Sequence, residues 1–139
     1  MTGLLLLLLL LLGLAPAPPL ETVLARKKGQ RRVLLLYTND RNNPELRAQL
    51  RRLAPHQPDL TERDLDVLVV CEPQLSGPDR TYLHGPSGLL RAEAPFVGLL
   101  IGKDGGVKKR FLRPVYPADL FALIDTMPMR KAERSHRPR

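Results

Sequence analysis

AEAPFVGLLIGKDGGVKKRF, from Ala92 to Phe111, is the stretch that decides the fold. Pro95 opens an apolar run, Phe96 to Ile101, that stops at a glycine-rich turn and resumes as a second short strand. The turn Lys103-Asp104-Gly105-Gly106 holds an Asp-Gly pair, which suits a tight hairpin because glycine takes positive φ at little cost. The spacing therefore predicts a hairpin, Phe96 to Ile101 against Val107 to Leu112. Downstream of Pro117, Leu120, Leu123, Ile124 and Met127 fall at i, i+3, i+4 and i+7, the stripe of an amphipathic helix. Pro128 stops or kinks that helix.

Upstream, Val33 to Tyr37 is a continuous apolar run too short for a helix and bounded by turn residues. It reads as a strand buried on both faces. After the polar loop Thr38 to Asn43, Asn43 is placed to cap a helix and Pro44 suits its first turn. Leu46, Leu50 and Leu53 give that helix one apolar stripe. Pro55 and Pro58 end it, and the valine-rich run Leu65 to Cys71 supplies a second strand. Strand, helix and strand in this order make a right-handed parallel unit. Glu72 to Ala94 is rich in glycine, proline and polar residues and reads as loop, with a helical turn only at Leu89 to Ala94. The expected fold is α/β, β-α-β-loop-β-β-α, with a four-stranded mixed sheet. The two doubly buried strands take its centre and the other two its edges.

The ends differ in kind from this middle. Residues 1–17, with leucines almost unbroken from Leu4 to Leu14, read as a secretory signal. About a dozen apolar residues fall short of the ~20 that span a bilayer. The prolines at 16, 18 and 19 leave the cleavage bond open. Residues 18–31 read as a basic linker, 32–127 as the domain and 128–139 as a basic tail. Of the formal net charge of +8, residues 21–32 hold five cations against one acid, and residues 103–139 hold ten against four. The middle, 33–102, is slightly acidic, with seven against nine. On a secreted chain such basic ends point to sulfated glycans rather than nucleic acid.

The runs RVLLLYTND, NPELRAQLRRLAP, PFVGLLIGKDGGVKKR and DLFALIDTMPMRKAE together resemble the thioredoxin-like domain at the C-terminus of secreted sushi-repeat-containing proteins, also found in equarin and related matrix adhesion proteins. The resemblance covers Arg31 to about Glu133. It is most specific at LLIGKDGGVK (Leu99 to Lys108) and LIDTMPMRKAE (Leu123 to Glu133). It implies a peroxiredoxin-like fold without the usual catalytic cysteine pair. It further implies extracellular matrix or cell-surface roles: adhesion, heparan sulfate binding and association with secreted proteins. No cofactor is implied, and this chain has no sushi repeats.

In thioredoxin-like oxidoreductases the nucleophilic thiol follows the first central strand at a helix N-terminus, where the dipole and unpaired N–H groups favour a thiolate. Here that place is Thr38 to Asn43 and holds no cysteine. Pro95 stands where the fold commonly has a cis proline facing that loop. A peptide cleft formed by Asn39, Asp40, Arg41 and Pro95 is the functional expectation, and a structural turn is its alternative. Cys71, the only cysteine, is open to three readings: a small buried apolar residue, an intermolecular disulfide joining a dimer, or the nucleophile of a one-cysteine peroxidase. The glycan-binding candidates are Lys108, Lys109, Arg110 and Arg113, with Arg130 and Lys131 on the tail. Strand alternation puts Lys108 and Arg110 on one side and Lys109 on the other. His56, His84 and His136 are isolated, and no metal site is expected.

Overall fold

The computed structural model describes residues 16–91 and 93–136. The expected signal, residues 1–17, lies almost wholly outside them. Four strands form one sheet: β1 (Arg32–Thr38), β2 (Leu65–Cys71), β3 (Phe96–Ile101) and β4 (Val107–Phe111), in the order β2-β1-β3-β4. β1 runs parallel to β2, Leu34 opposite Val67, and antiparallel to β3, Leu34 opposite Leu100. The two strands expected at the centre are there, buried along their whole length.

Alternation along β1 feeds two cores, because successive side chains leave opposite faces of the sheet. Leu34 and Leu36 point into one core. There Phe96 and Leu100 of β3 meet Leu46 and Leu53 of helix α2 (Pro44–Leu53), Leu60 of α3 (Gln57–Glu62), and Leu120, Phe121 and Ile124 of α5 (Pro117–Asp125). Val33, Leu35 and Tyr37 point into the other, with Val97, Leu99 and Ile101, Leu20 of α1 (Leu20–Lys27), Leu83 of α4 (Gly77–His84) and Leu90. A final helix, α6, spans Pro128–Ser135. The sheet is thus the middle of three layers.

Local chemistry explains most boundaries. The Asn43 carboxamide accepts from the Glu45 and Leu46 N–H groups at 2.8 and 3.2 Å, and Pro44 opens α2 as expected. At the hairpin, Gly105 has φ +83°, a conformation that disfavours any residue with a Cβ.

Four segments depart from expectation. The stretch between α2 and β2 holds α3, with Pro58 in its first turn and Leu60 buried. The basic linker holds α1, docked through buried Leu20, whose N–H donates to Asp79 Oδ1 at 2.8 Å. Glu72 to Ala94 holds α4: the Ser76 hydroxyl caps Asp79 N–H and Pro78 lies in the first turn, so the Gly-Pro pair starts a helix rather than breaking one. The turn expected at Leu89 to Ala94 is not helical in its described residues. The basic tail holds α6, and Pro128 opens that helix after ending the previous one.

Candidate functional site

The Thr38 to Asn43 loop closes on itself. Thr38 Oγ1 donates to Asp40 O at 2.7 Å, and Asn42 N–H donates to Asp40 Oδ1 at 2.9 Å. Pro95 does face this loop, but no cis peptide bond occurs among the described residues. Its carbonyl accepts from Asn39 N–H at 3.0 Å and from Asn43 Nδ2 at 3.3 Å. The loop and the residue opening β3 are thus tied together through this carbonyl. Asn39, Asp40 and Arg41 are exposed on the surface, with Pro95 held against them.

Cys71 closes β2 opposite Thr38 and is only 7% exposed. Among its three readings this is the packing one. A disulfide to a second copy needs an accessible sulfur, which this position does not offer.

The same end of the sheet holds a cluster that the sequence concealed. Glu72, one residue past β2, accepts from Tyr37 Oη at 2.8 Å and Arg80 Nε at 2.9 Å, and lies 2.7 Å from His84 Nε2. Tyr37 and His84 also meet edge to face, their ring centroids 5.4 Å apart. Burial pushes the Glu72 carboxyl up, but hydrogen bonds from His84, Arg80 and Tyr37 more than reverse this and hold it at about 2. Burial and the same hydrogen bond push the Tyr37 phenol up to about 12. A cavity of about 450 Å³ opens beside these residues and Glu93. His84, expected to be isolated, has an acidic partner. Arg80 and His84 lie one turn apart on α4, which shows only once that segment is known to be helical.

At the opposite end, where β1 begins, most of the charge is consumed. Lys27 and Arg31 both reach Asp66, at 2.6 and 2.7 Å. Buried Arg32 forks onto Glu133, and Lys103 bridges Asp64 and Glu133 at 2.8 and 2.6 Å. Arg130, 1% exposed, binds Asp125 at 3.0 Å and Glu62 at 2.8 Å. Arg63 forks onto both oxygens of Asp125, at 3.1 and 2.9 Å. Arg130 is thus a clamp that fixes α6, and as a glycan-binding candidate it is withdrawn. Lys131, the next residue, is exposed.

The edge strand β4 is different. A bulge between Leu100 and Ile101 breaks its register, so Lys108 and Arg110 do not share a face as simple alternation expects. Lys108 turns to Asp104 at 2.5 Å. Arg110 crosses to the other side, its guanidinium donating to the carbonyls of Leu90 and Leu89 at 3.3 and 3.2 Å. It lines a shallow pocket of about 280 Å³ with Arg91 and Ser87, and no carboxylate lines that pocket. Lys109 and Arg113 are exposed and have no ion pair among the described residues. Arg91 is the addition the sequence did not offer, brought beside Arg110 by a left-handed turn (φ 49°).

Residues 23–133 match the family model described as a domain of unknown function (DUF4174), and the chain belongs to that family. Its sequence is 34% identical over 113 residues to the sushi repeat-containing protein SRPX of Rattus norvegicus, covering 75% of this chain. The chain spans about a quarter, 24%, of that relative's length. The fold matches the crystal structure of the reduced 2-Cys peroxiredoxin of Plasmodium vivax, with a TM-score of 0.56 at 12% identity over 78% of this chain and 71% of that one. The domain is therefore thioredoxin-like and related to that of the sushi-repeat proteins, as the resemblance implies.

Proposed function

We propose that this member of the family is a non-catalytic thioredoxin-like binding module that acts in the extracellular space or matrix. Its ligands are heparan sulfate or related sulfated glycans, and through them it supports cell adhesion beside matrix or cell-surface proteins. The relation to a sushi-repeat protein supports the setting. The observation that carries the ligand is the β4 edge and the residues just past it, where Lys109, Arg110 and Arg113 are exposed and meet no carboxylate among the described residues, with Arg91 beside Arg110. Two carbonyls fix the Arg110 guanidinium without neutralising it. A planar fork held in that way is preorganised for a sulfate oxygen pair.

Binding of a heparan sulfate oligosaccharide, measured by titration calorimetry, should fall steeply with salt as counterions are released. The logarithmic slope should be about one unit per cation engaged, by analogy with other polyanions. A flat dependence between low and physiological salt would sink the reading.

The peroxiredoxin-like fold favours one rival, a one-cysteine peroxidase using Cys71. Burial of Cys71 opposes it, because a peroxidatic thiol must meet its substrate. Peroxide consumption by the chain that disappears in Cys71→Ser would establish the rival.

A further inference from the structure

The β3–β4 turn and the start of α6 face each other across a cleft of about 340 Å³, near the lower end of the range for small-molecule sites. Met127, Pro128 and Met129 line one side, and Gly102, Asp104 and Lys108 line the other. The walls are mostly apolar. Arg32 and Lys103 are the deepest charged residues of the lining.

Two features make this more than a crevice between elements. Arg32 is 1% exposed, and its Nε is the one buried side-chain nitrogen or oxygen among the described residues with no hydrogen-bond partner. Its two terminal nitrogens are engaged by Glu133 and the Arg63 carbonyl, so what it lacks is a further acceptor. The second feature is the α6 N-terminus itself. Its cap, Met127, has no side-chain oxygen, so no side chain caps the first-turn N–H groups beside the cleft.

We propose that this cleft binds a small organic anion with an apolar body, an alkyl or aryl carboxylate or sulfonate. The acid group takes Lys108 from Asp104 and gives Arg32 the acceptor it lacks, while the carbon body lies on Met127 and Met129. Exchanging Lys108 costs little, because its pair with Asp104 lies at the surface and Asp104 stays in water. Methionine suits the wall, since its unbranched thioether can repack around an incoming chain.

The sequence makes the test simple. Beyond the expected signal the sequence holds two methionines, and both line the cleft. Decanoate is titrated into the signal-cleaved protein labelled with 13C at the methionine methyls and followed by NMR. The Met127 and Met129 signals should move saturably. Lys108→Ala should weaken binding at least about tenfold, the loss of one charge-assisted hydrogen bond, with its urea midpoint unchanged. Met129→Ala should weaken binding as well. No saturable shift, or Lys108→Ala binding as tightly as the parent, would overturn the assignment.

Discussion

The two cationic regions of this domain look alike when residues are counted and opposite when partners are. Where β1 begins, Lys27, Arg31, Arg32, Arg63, Lys103 and Arg130 are met by Asp64, Asp66, Glu62, Asp125 and Glu133. On β4 and just past it, Lys109, Arg110 and Arg113 are met by no acid among the described residues, and a bulge with exposed charges blunts the edge against pairing with another strand. The first arrangement spends its charge on folding. The hydrogen bond from Arg31 holds Asp66 below the usual carboxylate range, and in Glu133 bonds from Arg32 and Lys103 overcome burial to do the same. The second leaves charge available to a partner. Net charge therefore describes neither region; what separates them is whether the topology supplies an acid.

The largest effect should come from breaking the closed region. Arg130→Ala removes the buried guanidinium that joins Asp125 to Glu62 and unpins α6. It should cost about 3 kcal/mol in urea unfolding. A loss below about 0.5 kcal/mol would mean that the network is decoration and the contrast false.

The Glu72 cluster sharpens the comparison as a second closed set of charges, at the other end of the sheet. Its carboxyl lies at about 2 in the folded protein against 4.5 ordinarily. Its contribution is therefore complete above about pH 4.5 and is lost as pH falls towards 2. Glu72→Gln should cost about 2 kcal/mol at neutral pH, allowing for screening at a partly exposed site, and should flatten the acid limb of the stability curve. An acid limb identical to the parent's would remove Glu72 from the cluster.

How much of this was legible in the sequence follows from the range of the interactions. All four strands, α2, α5, the hairpin and the sheet order announce themselves through burial on both faces, period and turn chemistry, all within about ten residues of chain. The Asn43 cap was readable for the same reason. The helices missed, α1, α3, α4 and α6, are short, polar and start beside a proline, and each is held by partners far away in sequence: Leu20 and Leu83 in the second core, Leu60 of α3 in the first, and Arg130 and Glu133 of α6 on Glu62 and Arg32. Arg130 stood as a glycan candidate because nothing local reveals Glu62 beneath it. Alternation alone places Lys108 and Arg110 on one face, because a bulge leaves no mark in a run of three cations. The Glu72 cluster needed α4 to be a helix before Arg80 and His84 could converge on it.

The smallest change in stability, that of the β4 pair, accompanies the most direct test. Lys109→Gln/Arg110→Gln and Lys27→Gln/Arg31→Gln each remove two positive charges, one pair from the open edge and the other from the closed network. Salt elution of both from immobilised heparin, beside the parent, separates placement from charge number. The account expects the first to elute at clearly lower salt and the second close to the parent. Equal shifts for the two would contradict it, leaving net charge rather than the β4 edge as the source of affinity.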